Sequence, residues 1–272
     1  MIITRELPMD KMLRQLLIIT ITITVFNFQN LLASTIVEHI CPFNDLDQDF
    51  TYEVEVSSNL IKKDLCMLDE LDLDIIKRLL NQEVISKLIK SDIKQNVQFV
   101  MMAFIPAEPN LIADILFNTE SLDQLLKSTN NLRELDIHNM DALRNAYPEF
   151  ASIYSDIDFI HSKIYKAKST YGTGLLRIED QIVKHALLLK YDDSINLYVN
   201  LIESDKIFQS SYGMFKLIPY ADGTILISYS DDNIKHKQAL LFMDKIKSSA
   251  HQSFIQFVLD LKKMLGVKKA LR

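Results

Sequence analysis

From residue 159 onward the chain alternates. FIHSKIYKA, GLLRIEDQI, VKHALLLKYD, SINLYVNLI, SYGMFKLIPY and TILISYS are six segments in succession with a period of two. That period predicts strands with one face turned to a core. Tyr171-Gly172-Thr173-Gly174, Asp192-Asp193 and Asp222-Gly223 punctuate them as turns. In the fourth segment Ile195, Leu197, Val199 and Leu201 share a face, and Asn196, Tyr198 and Asn200 share the other. This reads as a sheet with a dry face and a wetter one. After Ser230 the period becomes helical. Residues 237–265 place Met243, Ile246, Ala250, Phe254, Phe257, Val258, Leu261 and Leu265 at steps of three and four, with Gly266 just past the end. At a rise of about 1.5 Å per residue, this helix extends for about 40 Å.

Upstream, residues 96–107 (NVQFVMMAFIPA) form an apolar strand that Pro106 stops. Pro109 suits a first helical turn, and Leu111, Ile112, Ile115 and Leu116 supply one face of that helix. Thr119 or Ser121 can cap a second short helix, SLDQLLKS. Residues 71–82 have helical spacing at Ile75, Ile76, Leu79 and Leu80, and residues 83–93 fit a strand or a continued helix, with strand preferred. Residues 130–158 resist a reading beyond a helix broken at Pro148. The order predicts an α+β fold: seven antiparallel strands in a curved sheet, two short helices after the first strand, and a long C-terminal helix. Only that helix is long enough to cover the concave face, and the gap beneath it is a natural apolar pocket.

Three stretches give this order a likeness. AFIPAEPNLIADIL resembles the apolar strand, Pro-containing turn and helix that open domains of the START/SRPBCC helix-grip superfamily. YGMFKLIPYADGTILISYS is similar to that group's penultimate strand and following turn, with Phe215 where Trp is frequent. The long last helix completes the resemblance, which covers roughly residues 93–265. LLNQEVISKLI resembles a lead-in segment of some members, with Gln82 where Gly is usual. The superfamily includes lipid-transfer domains, pollen-allergen-like proteins, aromatase/cyclases and coenzyme Q-binding proteins. The resemblance implies a cavity between sheet and last helix. Leu197, Val199, Phe215, Leu217, Tyr229, Met243, Ala250, Phe254 and Phe257 are the expected ligand-contacting residues, although each taken singly reads more readily as core filling.

Composition narrows the function. A formal net charge of −6 over 272 residues argues against a nucleic-acid binder. No run of Lys and Arg of the kind that docks on anionic lipid appears. With five Gly, a phosphate-cradling loop is hard to build, and YGTG reads as a hairpin turn. No nucleophile elbow, dinucleotide fingerprint or metal-binding helix is present, and no cofactor is implied. His161, His185 and His251 lack a partner acid at a telling distance, and Asp192-Asp193 and Asp231-Asp232 read as solvated turn pairs.

Residues 1–34 carry Lys11 and Arg14 before an uncharged apolar run, 16–26, and end at Ala33-Ser34. This is the layout of a secretory signal, with an uncleaved anchor or a buried strand as rivals. Export to a periplasm or the medium follows from the first reading. Cys41 and Cys66 are compatible with one disulfide or with two unpaired small hydrophobes. The expected organisation is therefore a leader at 1–34, an extension with a short helix at 35–92, the START-like domain at 93–266 and a basic tail at 267–272. The expected protein is a monomer that holds a hydrophobic small molecule such as a lipid or isoprenoid-like compound, with transient membrane contact. One alternative is a cyclase- or hydrolase-like enzyme using His185, Tyr198 and Tyr229 in the same cavity. Another is a ligand-free scaffold acting through protein–protein contacts.

Overall fold

The computed structural model describes residues 38–40, 63–65, 68–89, 95–126, 129–135, 162–171, 178–237 and 243–267. Cys41, Cys66 and the leader fall outside these residues, as does the helix read around Pro148. Strands β1 (Glu38–Ile40) and β2 (Lys63–Leu65) form a two-stranded sheet of their own. Of the described residues, 38–39 and 63–64 belong to one unit and the others to a second.

The second unit is built on an antiparallel sheet of eight strands in the order β3-β4-β10-β9-β8-β7-β6-β5. These are β3 (Ile85–Ile89), β4 (Asn96–Ile105), β5 (Thr129–Leu135), β6 (Ser162–Tyr171), β7 (Ile178–Lys190), β8 (Ile195–Ser204), β9 (Phe208–Tyr220) and β10 (Gly223–Ile234). The helices are α1 (Leu73–Leu80), α2 (Pro109–Phe117), α3 (Thr119–Leu125) and α4 (Met243–Met264). None of the described helices is long and apolar enough to cross a membrane.

The strand count corrects the expected seven in three places. The fifth-to-last and following predicted strands merge: residues 178–182 and 183–190 are one strand, β7, because no turn residue separates Ile182 from Val183. A register shift between Val183 and Lys184 absorbs the break in pattern instead. β5 comes from the stretch that resisted reading, and β3 pairs with β4 from Ile85 to Ile89, so the sheet begins upstream of residue 93. The capping of α3 also differs: Asn118 is its N-cap, and its side chain accepts from the Ser121 amide at 2.9 Å. Pro109 opens α2 as expected.

The C-terminal stop of α4 follows the Schellman pattern. Gly266 has φ +68°, its amide bonds Lys263 O at 3.1 Å, and Val267 N bonds Lys262 O at 3.0 Å. Gln82 does the same for α1 at φ 67°, with Gln82 N on Leu79 O and Glu83 N on Arg78 O. A residue with a side chain is held there by a second role: Gln82 Oε1 accepts from Lys262 Nζ at 2.5 Å, joining α1 to the end of α4.

The β9–β10 hairpin corrects the role of its glycine. Ala221 and Asp222 form the two-residue turn, and Ala221 takes the positive φ of 51°. Gly223 is required for a different reason: a Cβ there would lie 2.5 Å from Ile105 O and 2.9 Å from Pro106 Cα. Those are backbone atoms of the end of β4 and cannot give way cheaply. Gly223→Ala is expected to lower unfolding free energy by about 1–3 kcal/mol, in the range of overpacked cores. Ala221→Gly relieves a left-handed residue and is expected to raise it by about 0.5–1 kcal/mol. Urea denaturation of both variants measures the two signs together.

Candidate helix-side binding recess

Which face of the sheet is inside is set by an aromatic stack. Phe257 of α4 stacks on Phe215 of β9 at 5.8 Å, and Phe254 stacks on Phe257 at 5.9 Å. Phe215 pairs with Ser228 and Leu197, and Leu217 with Leu226 and Ile195, so the register assigns these residues to the helix side. Leu197, Leu217, Phe254 and Phe257 belong to one buried cluster there, with Val199 and Phe215 packed against it and partly exposed. Six of the nine residues expected to contact ligand are thus gathered on one face. Tyr229 is not among them. It pairs with Met214, one step out of phase with Phe215, and its side chain is on the opposite face, as the alternation of a strand dictates. The side chains of Met243 and Ala250 lie outside the described residues.

Among the described residues, cover on this face is incomplete. A Cβ built on Gly213 would meet nothing nearer than 3.9 Å, and those atoms, Val199 Cβ and O and Tyr229 O, belong to the adjoining strands. Around it Val199, Leu201, Phe215 and Ser230 all keep partial exposure in mid-sheet. The missing side chain of Gly213 leaves these partly exposed, mostly apolar residues around a shallow candidate recess.

One edge of the recess carries charge. Lys184 Nζ donates to Ser211 Oγ at 3.4 Å, and Ser211 is hydrogen-bonded to Asp232. Asp232 pairs with Ser211 and with Val97, and Lys184 pairs with Leu201, which puts the three polar residues in one row of the helix-side face. Lys184 and Asp232 lie deep in the fold yet remain partly exposed, as groups lining a recess do. Burial pushes the Lys184 ammonium below its ordinary value, and the Asp232 charge opposes this. Burial pushes the Asp232 carboxyl up, against the pull of Lys184 and Ser211. Tyr165, opposite Lys184, is buried, and desolvation raises its phenol so that it stays protonated.

These residues correct the solvated-turn reading of Asp231-Asp232. Both are inside β10, on opposite faces: Asp232 faces the recess, and Asp231 accepts from Gln98 Nε2 at 3.1 Å and Tyr229 Oη at 3.3 Å on the outer side. A signal for Lys184 was available. It interrupts the apolar stripe Ile182, Ala186, Leu188, where a solvent-facing lysine has no place.

The outer face is not wet. Asn196, Tyr198, Asn200, Tyr212 and Lys216 are all buried there, and Lys216 Nζ donates to Leu65 O at 3.0 Å. α1 packs against β4, and its buried Ile75, Ile76 and Leu79 stand apart from the helix-side cluster. His185 pairs with Asn200 on this outer face, and Tyr198 and Tyr229 are on it too. The three residues proposed for catalysis in the cavity are therefore on the wrong side of the sheet for it. His161 and the side chain of His251 lie outside the described residues.

This arrangement has counterparts among solved structures. The STAR-related lipid transfer protein from Xanthomonas axonopodis matches with a TM-score of 0.51 at 11% identity, covering 67% of this chain and 93% of that one. Looser similarities include human STARD10 (TM-score 0.48, 6% identity, 74% of this chain and 83% of that) and the Zhui aromatase/cyclase from Streptomyces sp. R1128 (0.45, 9%, 64% and 98%). No protein-family model matches the sequence, and no curated protein matches it. The chain shares its fold with the STAR-related lipid transfer protein.

Burial of His185 supplies a pH test of the outer face. Desolvation lowers its pKa from 6.5 to about 4. The unfolded chain then binds more protons than the folded one between these values, so stability falls as pH drops through that window and is fully present above it. Unfolding free energy followed from pH 7 to 4 should decline less steeply in His185→Gln than in the wild type.

Proposed function

We propose that the chain binds an apolar small molecule, of lipid or isoprenoid-like character, in the helix-side recess, without transforming it. The observation that carries this reading is the partial exposure in mid-sheet of Val199, Leu201 and Phe215 around Gly213, beside the α4 aromatics. Burial of the ligand's apolar surface would supply about 25 cal/mol per Å² before ordering costs. The polar row adds a preference. Lys184 and Asp232 already balance each other, so a carboxylate entering there would face Asp232 in a low-dielectric setting. A hydroxyl or carbonyl suits the row better, because it can accept from Lys184 or, as a hydroxyl, donate to Asp232. The ligand class is therefore an apolar body with one uncharged hydrogen-bonding end. Export is part of the proposal, on the strength of the leader-like pattern in residues 1–34, and the mass of the protein recovered from cell fractions tests it.

Native mass spectrometry after gentle purification, followed by uptake of a fluorescent long-chain alcohol and the matching fatty acid, tests the reading. Uptake of the alcohol at least tenfold tighter than the acid is expected. Gly213→Leu should fill the recess and remove uptake, while Gly213→Ala keeps the fold because its Cβ meets no atom nearer than 3.9 Å. An empty protein that takes up neither probe would overturn the proposal.

The opposed shifts of Lys184 and Asp232 favour a second reading, an enzyme with an acid–base pair in the same recess. NMR of the bound molecule over time separates the two: an unchanged ligand supports a carrier, and conversion that Lys184→Met abolishes supports an enzyme.

A further inference from the structure

We infer that the outer face of the β5–β6 hairpin is a second binding site, for a phosphate group. It is separate from the helix-side recess and does not depend on it. β5 and β6 lose register between Asn130 and Arg133, and Asn131 takes a left-handed φ of 56°. The extra length opens a hollow of about 540 Å³ lined by Asn131, Arg133, Lys166, Lys168 and Gln181 together with Leu132 and Ala167. That volume is in the range of about 300–1,000 Å³ that small-molecule sites occupy.

The charge in the hollow is one-sided. Arg133 is directly opposite Lys166 across the strand pair, and Lys168 is the next residue on the same face. Like charges in that position push strands apart. Lys168 has Glu179 at 2.6 Å, but among the described residues neither Arg133 nor Lys166 has an ion-pair partner. The same hairpin treats the cation on its other face differently. Lys163 is 3.0 Å from Glu134, which also accepts from Thr119 Oγ1, and its ammonium is 5.1 Å from the centroid of the Phe117 ring. A chain of net charge −6 thus leaves two cations facing each other over a hollow. An anion between them turns the repulsion into two attractions. Arg133 offers a planar fork, which matches two oxygens of a phosphate, and Lys166 a point charge beside it. Gln181 and Asn131 add side-chain amides able to donate to the same group.

Phosphate can come from a soluble molecule or from a lipid headgroup, and the test separates them. The full chain is titrated with inorganic phosphate, followed by amide NMR shifts and by thermal unfolding, and is sedimented with phosphatidylcholine vesicles with and without phosphatidic acid. Binding of inorganic phosphate with shifts at Arg133 and Lys166 supports the site with a soluble source. Sedimentation only with phosphatidic acid supports it with a headgroup source. In either case Arg133→Gln should weaken binding at least tenfold and, without phosphate, leave the melting temperature unchanged or higher, because a repulsion has been removed. The exposed Lys206→Gln controls for general loss of charge. If Lys206→Gln weakens binding as much as Arg133→Gln, or if neither probe binds, the inference is overturned.

Discussion

The stack of Phe254, Phe257 and Phe215 fixes which side of the sheet α4 covers, and most of the molecule's chemistry follows from that choice. Antiparallel pairing makes the assignment rigid. Once Phe215 is inward, Leu217, Leu197, Leu226 and Ala103 must be inward too, and Tyr229, Tyr198 and Asn200 must be outward. A one-residue slip would exchange the two sets, putting tyrosines and asparagines under the helix. Gly213 sits one step along from Phe215 on the same face, so the contact that seats the helix also locates the gap beside it.

In mid-sheet both faces are buried, and each handles polar groups in its own way. On the helix side, charge in mid-sheet lies in the row of Lys184, Ser211 and Asp232 within an otherwise apolar surface, and the Lys163–Glu134 pair sits at the β5–β6 edge. On the outer side polar groups are spread widely and bonded locally: Asp231 with Gln98 and Tyr229, Asn196 with Tyr198, Lys216 with Leu65. Buried polar groups are costly without partners, which accounts for bonded networks on the face that is packed. Lys184 and Asp232 instead keep partial exposure, which leaves them able to meet a molecule from outside. This contrast, more than the aromatic content, distinguishes the recess from ordinary core.

How much of this was legible in the sequence varied by element. β8, β9 and β10 announced themselves, because half-apolar strands with short turns leave a strict period of two. β7 was misdivided because a bulge at Val183 and Lys184 shifts the phase without any turn residue. β5 was invisible: TNNLREL has two apolar residues in seven, and its strand is made by pairing with β6. The polar row was missed for a related reason. Asp232 was taken for a turn residue, although β10 continues to Ile234 because β4 pairs with it as far as Asn96.

By itself the sequence determined the central strands, the helices and their apolar stripes, because local periodicity records which side of each must avoid water. It determined the capping and stopping signals at Pro109 and Gly266, because those are local backbone constraints. Only the tertiary structure decided what lies across the sheet from each residue. Lys184 and Asp232 are far apart in the chain, and so are Arg133 and Lys166; strand register alone brings each set together. The pairing energy that sets register is a sum over whole strands, and no short stretch of sequence contains it.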